Sequence, residues 1–120
     1  MTEKIAVLVV EDEALILMDI ADHLEAAGFK VYEAMNADAA INLLNAHLDI
    51  RLMFTDIDMP GSMDGLKLAG AVRDRWPPVK IIVTSGARMI EITDMPDGSM
   101  FFSKPYNHTA VLSSMHEMLA

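Results

Sequence analysis

Short apolar runs alternate with stretches of helical periodicity along this 120-residue chain, and that alternation leaves few folds open to it. Lys4 to Val10 (KIAVLVV) is a β-branched run with no polar alternation, the pattern of a strand covered on both faces. Ala14 to Ala27 places Leu17, Ile20, Ala21 and Leu24 at helical spacing, and Gly28 is suited to end that helix. Phe29 to Ala34 predicts a second strand, and Asn36 predicts the cap of a helix whose apolar face is Ala37, Ala40, Ile41 and Leu44. Ile50 to Asp56 predicts the central strand. A helix from about Asp64 to Arg75 carries Leu68, Ala69 and Val72, and Trp76-Pro77-Pro78 stops it. Val79 to Thr84 and Ser99 to Ser103 predict two more strands, and Asn107 to Leu119 a final helix. Five strands interleaved with helices imply an α/β fold: a parallel sheet, helices on both faces, right-handed crossovers.

In such a sheet the carboxyl ends of the strands share one edge, where open α/β sheets bind their ligands. Glu11 and Asp12 follow the first strand and Asp56 ends the third. Asp58 comes two residues later, before the turn signal Met59-Pro60-Gly61-Ser62. Thr84 ends the fourth strand and Lys104 follows the fifth. The topology therefore converges the carboxylates of Glu11, Asp12 and Asp56, the Thr84 hydroxyl and the Lys104 ammonium on one crevice. Carboxylates packed together repel and raise one another's pKa values unless a divalent cation joins them. An all-oxygen set beside a turn suits Mg²⁺. Asp56 then keeps an oxygen that can attack a phosphoryl group and form an aspartyl phosphate. Mg²⁺, Lys104 and Thr84 would stabilise the equatorial oxygens.

Composition narrows the function classes. Residues 1–120, 52% hydrophobic and 22% charged, predict one globular domain. A net charge of −9 argues against direct nucleic-acid binding. No apolar run reaches membrane-spanning length, no signal peptide is evident, and the absence of cysteine fits a cytoplasmic protein.

The motifs Val9-Val10-Glu11-Asp12, Asp56-Ile-Asp-Met-Pro60, Met63-Asp-Gly-Leu66, Val83-Thr84-Ser85-Gly86 and Lys104-Pro105-Tyr106, in that order, resemble a response-regulator receiver domain. The likeness to the single-domain chemotaxis regulator covers essentially the whole chain. It implies a flavodoxin-like sheet of strand order 2-1-3-4-5. It further implies that Asp56 accepts a phosphoryl group from a histidine kinase or histidine phosphotransfer protein, switching the binding of a downstream protein effector. The metal would be held by Glu11, Asp12, Asp56 and the main-chain carbonyl of Asp58. Thr84, Lys104 and Phe101, three residues before the lysine, would form the switch. A homodimer formed on phosphorylation is one partner that the resemblance allows.

Three features depart from that family's pattern. Glu11 stands where aspartate is commoner, and the loop Pro60-Gly61-Ser62-Met63 is one residue longer than usual. Pro96, Asp97 and Gly98 fall within the nineteen residues between Thr84 and Lys104, which predicts a short or irregular fourth helix. Other readings are weaker. A dehalogenase-type phosphatase would share Asp56-x-Asp58 but needs a further acidic pair after the lysine. A degenerate, non-phosphorylated receiver should lack an essential group, and a flavin module would not place Glu11-Asp12 against a phosphate. Met89, Met95 and Met100 lie near the presumed output region as core filler or as an adaptable partner surface. The four histidines show no ligand spacing, which predicts surface positions.

Overall fold

The computed structural model describes residues 4–59, 61, 63–86, 95–96 and 98–120. Its elements run β1 (Ala6–Val10), α1 (Ala14–Ala26), β2 (Lys30–Ala34), α2 (Ala37–Ala46), β3 (Ile50–Asp56). There follow α3 (Gly65–Arg75), β4 (Lys80–Ser85), β5 (Met100–Ser103) and α4 (His108–Leu119). The sheet order is β2-β1-β3-β4-β5, and each adjacent pair is parallel. This is the doubly wound, flavodoxin-like arrangement expected. The expectation of a short or irregular helix between β4 and β5 concerns residues 87–94, which lie outside the described residues.

Burial explains the sequence pattern. Every residue of β1 is buried, because helices cover both faces of the sheet, so a continuous apolar run replaces alternation. Leu8 and Val10 of β1 pack with Ala37, Ala40 and Leu44 of α2 and Leu68, Ala69 and Val72 of α3. Val7 and Val9 point the other way, onto Leu17, Ile20 and Leu24 of α1 and Val111, Met115 and Leu119 of α4. Each fully buried leucine or isoleucine contributes about 1.5–3 kcal/mol, so these two layers dominate stability.

The helix ends follow local chemistry. Asn36, Asp64 and Asn107 each accept a hydrogen bond at their helix N-terminus, from the N–H of Ala39 (2.8 Å), Lys67 (2.9 Å) and Ala110 (3.1 Å). After α1 the chain turns at Gly28 with φ +99°, a conformation that a β-carbon would strain. Some strand ends differ from the sequence reading. The β1 ladder begins at Ala6 and not Lys4, and Phe29 is buried ahead of β2 instead of lying within it. β4 runs on through Ser85 because Ser85 pairs with Ser103. Ile41 is only half buried. No described helix is long and apolar enough to cross a membrane.

Candidate functional site

The register of the sheet carries the chemistry to one edge. Asp56, the last residue of β3, lies opposite Thr84 of β4, and Ser85 lies opposite Ser103, directly before Lys104. The main chain locks these ends together: Ile57 N–H donates to the Thr84 carbonyl (2.8 Å) and Lys104 N–H to that of Ser85 (3.0 Å). Glu11, following β1, is tied by its own N–H to the Ala34 carbonyl at 3.0 Å. Glu11 and Asp56 are each only 3% exposed.

One carboxylate oxygen from each of Glu11, Asp12 and Asp56 lies within 4.8 Å of the other two. Lys104 reaches into this group, its Nζ donating to Glu11 Oε1 at 2.7 Å and standing 3.2 Å from Asp56 Oδ2. Asp58 adjoins them with its N–H 3.2 Å from Asp56 Oδ1, while its carboxylate accepts a 2.7 Å bond from the Ser85 hydroxyl. Thr84 is 1% exposed, and its Oγ1 has no hydrogen-bond partner among the described residues. A buried hydroxyl left so costs roughly 1–3 kcal/mol, which a ligand oxygen can recover.

The electrostatics point the same way. Burial pushes the Asp56 carboxyl above the ordinary aspartate value, and the nearby Lys104 ammonium only partly offsets it. Asp12 is raised by burial, then by its hydrogen bond with Glu11 and the charge there. Burial lowers Lys104, but its hydrogen bond to Glu11 and the charge of Asp56 outweigh that and leave it above an ordinary lysine. Tyr106 is pushed up to about 12 by burial and by the Glu11 charge, so it remains a neutral phenol. Among the described residues, one ammonium thus faces three carboxylates. The all-oxygen donor set of Glu11, Asp12 and Asp56 fits Mg²⁺.

Two variants test this balance. Because the folded-state pKa of Asp12 lies above 3.8, its ionised form subtracts stability once the pH exceeds that folded value. Asp12→Asn should therefore stabilise the metal-free protein at neutral pH. The gain is small, about 0.5 kcal/mol, since solvent still screens Asp12. It should fade as the pH falls toward 3.8, while Mg²⁺ affinity drops about tenfold or more. Melting curves across pH and a Mg²⁺ titration check both statements, and unchanged Mg²⁺ affinity would contradict the assignment of Asp12.

The second variant concerns a residue that the sequence reading quoted only within a motif. A β-carbon on Gly65 would stand 2.0 Å from the Asp56 carbonyl oxygen and 2.8 Å from Ile57 Cα, so only glycine lets α3 start against the end of β3. Gly65→Ala should cost about 1–3 kcal/mol by forcing these backbones apart. Denaturant unfolding measures the cost, and a neutral result would show that the two elements separate freely.

The residues expected to form a switch are less closely joined. Phe101 is half buried and registers with Val83, packing on the α2–α3 side of the sheet, whereas the partner of Thr84 is Phe102. Sequence reading also passed over the Ser85–Asp58 bond. It could not foresee Tyr106 standing edge-on to Phe54 with ring centres 5.3 Å apart. Both contacts join residues distant in the chain, and no local signal announces them.

The model of the response regulator receiver domain matches residues 7–116. The nitrogen assimilation regulatory protein NtrX of Azorhizobium caulinodans is 33% identical over 84% of this chain, which spans only 23% of NtrX. A response regulator receiver protein from Sinorhizobium medicae superposes with a TM-score of 0.90 at 27% identity, covering 98% of this chain and 95% of that one. A CheY-like receiver domain protein from Methanospirillum hungatei gives 0.86 at 25% identity, covering 98% and 94%. The match extends from β1 into α4 and takes in every strand that delivers a group to the acidic edge. The chain therefore belongs to the response regulator receiver domain family, the receivers of two-component signalling.

Proposed function

We propose that residues 1–120 act as one phosphoacceptor unit in which Asp56 receives a phosphoryl group from a histidine kinase or histidine phosphotransfer protein. The observation that carries this reading is the Thr84 hydroxyl, buried without a described partner at the register position facing Asp56. An Asp56 oxygen attacks phosphorus, the bond from phosphorus to the donor nitrogen breaks, and the electron pair stays with the donor imidazole. Lys104 and Thr84 are placed to meet the oxygens of the transferred group as their charge grows. Glu11, Asp12, Asp56 and the main-chain carbonyl of Asp58 would hold Mg²⁺, which supplies neutralising charge to the phosphoryl oxygens. The Asp58 carboxylate, occupied by Ser85, is not poised as the general acid that a dehalogenase-type phosphatase requires.

Signal output follows from a shift between two existing states. Thr84 moves toward the phosphoryl group, and Phe101 follows through packing alone, having no hydroxyl. The readout is docking to a downstream protein effector, with a homodimer as one such contact, in the cytoplasm and without direct nucleic-acid binding. The test is intact-protein mass spectrometry after incubation with a small phosphodonor such as acetyl phosphate. A phosphoryl adduct that requires Mg²⁺ and maps to Asp56 is the expected result. An adduct formed equally in chelator, or mapped elsewhere, would overturn the proposal.

A further inference from the structure

Beside the acidic pocket but outside its donor set, the fold gathers Asp19, His23 and His108. Asp19 and His23 lie one turn apart on α1, and His108 is the first residue of α4. Asp19 Oδ1 is 3.6 Å from His23 Nδ1 and Asp19 Oδ2 is 3.0 Å from His108 Nε2, with one donor atom of each residue within 4.8 Å of the other two. The two imidazoles stack at 3.9 Å with only 4° between their planes. We propose that this trio is a second metal site, for a borderline divalent transition ion of the zinc class, that clamps α1 to the start of α4.

The donor chemistry separates it from the acidic pocket. Two imidazole nitrogens and one carboxylate suit Zn²⁺, Ni²⁺ or Co²⁺, whereas the all-oxygen pocket suits Mg²⁺. A residue pair one turn apart on a helix, completed by a side chain from a neighbouring helix, gives three ligands and leaves further positions to water. His23 Nδ1 also lies 2.9 Å from the Asp19 carbonyl, so the tautomer that binds metal through Nδ1 carries its proton on Nε2 and gives up that bond. Parallel rings do not aim their lone pairs at one point, so the stack must open. The exposure of these side chains, 47% for His23 and 29% for His108, leaves room for that.

Access comes from an open groove of about 530 Å³ lined by Leu15, Ile16, Asp19, Lys104, Tyr106 and His108. The groove runs from this trio to the lysine of the acidic pocket, so metal at one end would fix the loop that carries Lys104. The proposal stands apart from the phosphoacceptor reading and does not need it.

The test is a Zn²⁺ titration of the full chain with Mg²⁺ in excess to hold the carboxylate pocket, followed by calorimetry and by the imidazole resonances of the four histidines. One ion should bind, shifting His23 and His108 and leaving His47 and His116 unmoved. His23→Gln and His108→Gln should each weaken binding by more than the roughly 10–100-fold that loss of an outer partner of a metal ligand costs. Metal-free melting curves confirm that both variants fold, and the exposed His23 variant is sufficient alone. Absence of binding, which would leave an ordinary aspartate–histidine ion pair, overturns the proposal. So does unchanged affinity in the variants, Zn²⁺ displaced by Mg²⁺, or shifts at His47 or His116 instead.

Discussion

Replacing Asp56 by asparagine should abolish the phosphoryl adduct while leaving the fold intact. The amide keeps the shape and the hydrogen-bond acceptor of the carboxylate but has no anionic oxygen to attack phosphorus. Its neighbours have other partners to hold them. Lys104 keeps its 2.7 Å bond to Glu11, and the backbone at residue 56 is fixed by the ladder to β4. Burial already works against the charge on Asp56, so neutralising it removes a cost from the metal-free protein. Mass spectrometry on the variant should show no adduct under conditions that label the parent, and melting curves should be no lower than the parent's. An undiminished adduct would move the phosphoacceptor elsewhere.

Much of this pocket was legible in the chain because its parts sit at strand ends, and strand ends are locally marked. The continuous apolar run before Glu11-Asp12, and the one before Asp56, announce strands covered on both faces, and the alternation with helices sets their common edge. Asn36, Asp64 and Asn107 cap their helices through bonds spanning three residues, so their role is readable in place. Glycine at 65 is different. Its reason is the Asp56 backbone against which α3 begins, and a tertiary approach leaves no local periodicity. The histidines show the same limit. Asp19 and His23 stand at helical spacing, but the partner that makes them a cluster is brought from the far end of the chain by the packing of α4 beside α1. Register decides the case of Phe101 and Phe102 as well. Adjacent aromatics face opposite sides of the sheet, and only the pairing with Val83 and Thr84 says which faces which.

Lys104→Met tests whether charge or packing holds the pocket together. Methionine retains most of the apolar stem that lysine lays along the groove. What it removes is the cation between Glu11 and Asp56, whose side chains are 4% and 3% exposed. Leaving buried carboxylates uncompensated costs about 3–5 kcal/mol in closed sites, and the lower end applies here because solvent reaches Lys104. We expect a loss of about 3 kcal/mol at neutral pH. The sign of its pH dependence follows from Asp56. Its folded-state pKa already exceeds 3.8 and rises further without the ammonium, so the native state of the variant binds a proton more tightly than the unfolded chain. The destabilisation is therefore complete above that raised value and shrinks as the pH falls through it. Mg²⁺ should restore stability, by about 2.7 kcal/mol at a hundredfold excess over its dissociation constant. The restored protein should still accept phosphoryl groups slowly, since no ammonium meets their oxygens. Denaturant unfolding at about pH 7 and about pH 4, with and without Mg²⁺, separates the causes. A loss equal at both pH values and untouched by Mg²⁺ would mean that Lys104 serves the site by packing and not by charge.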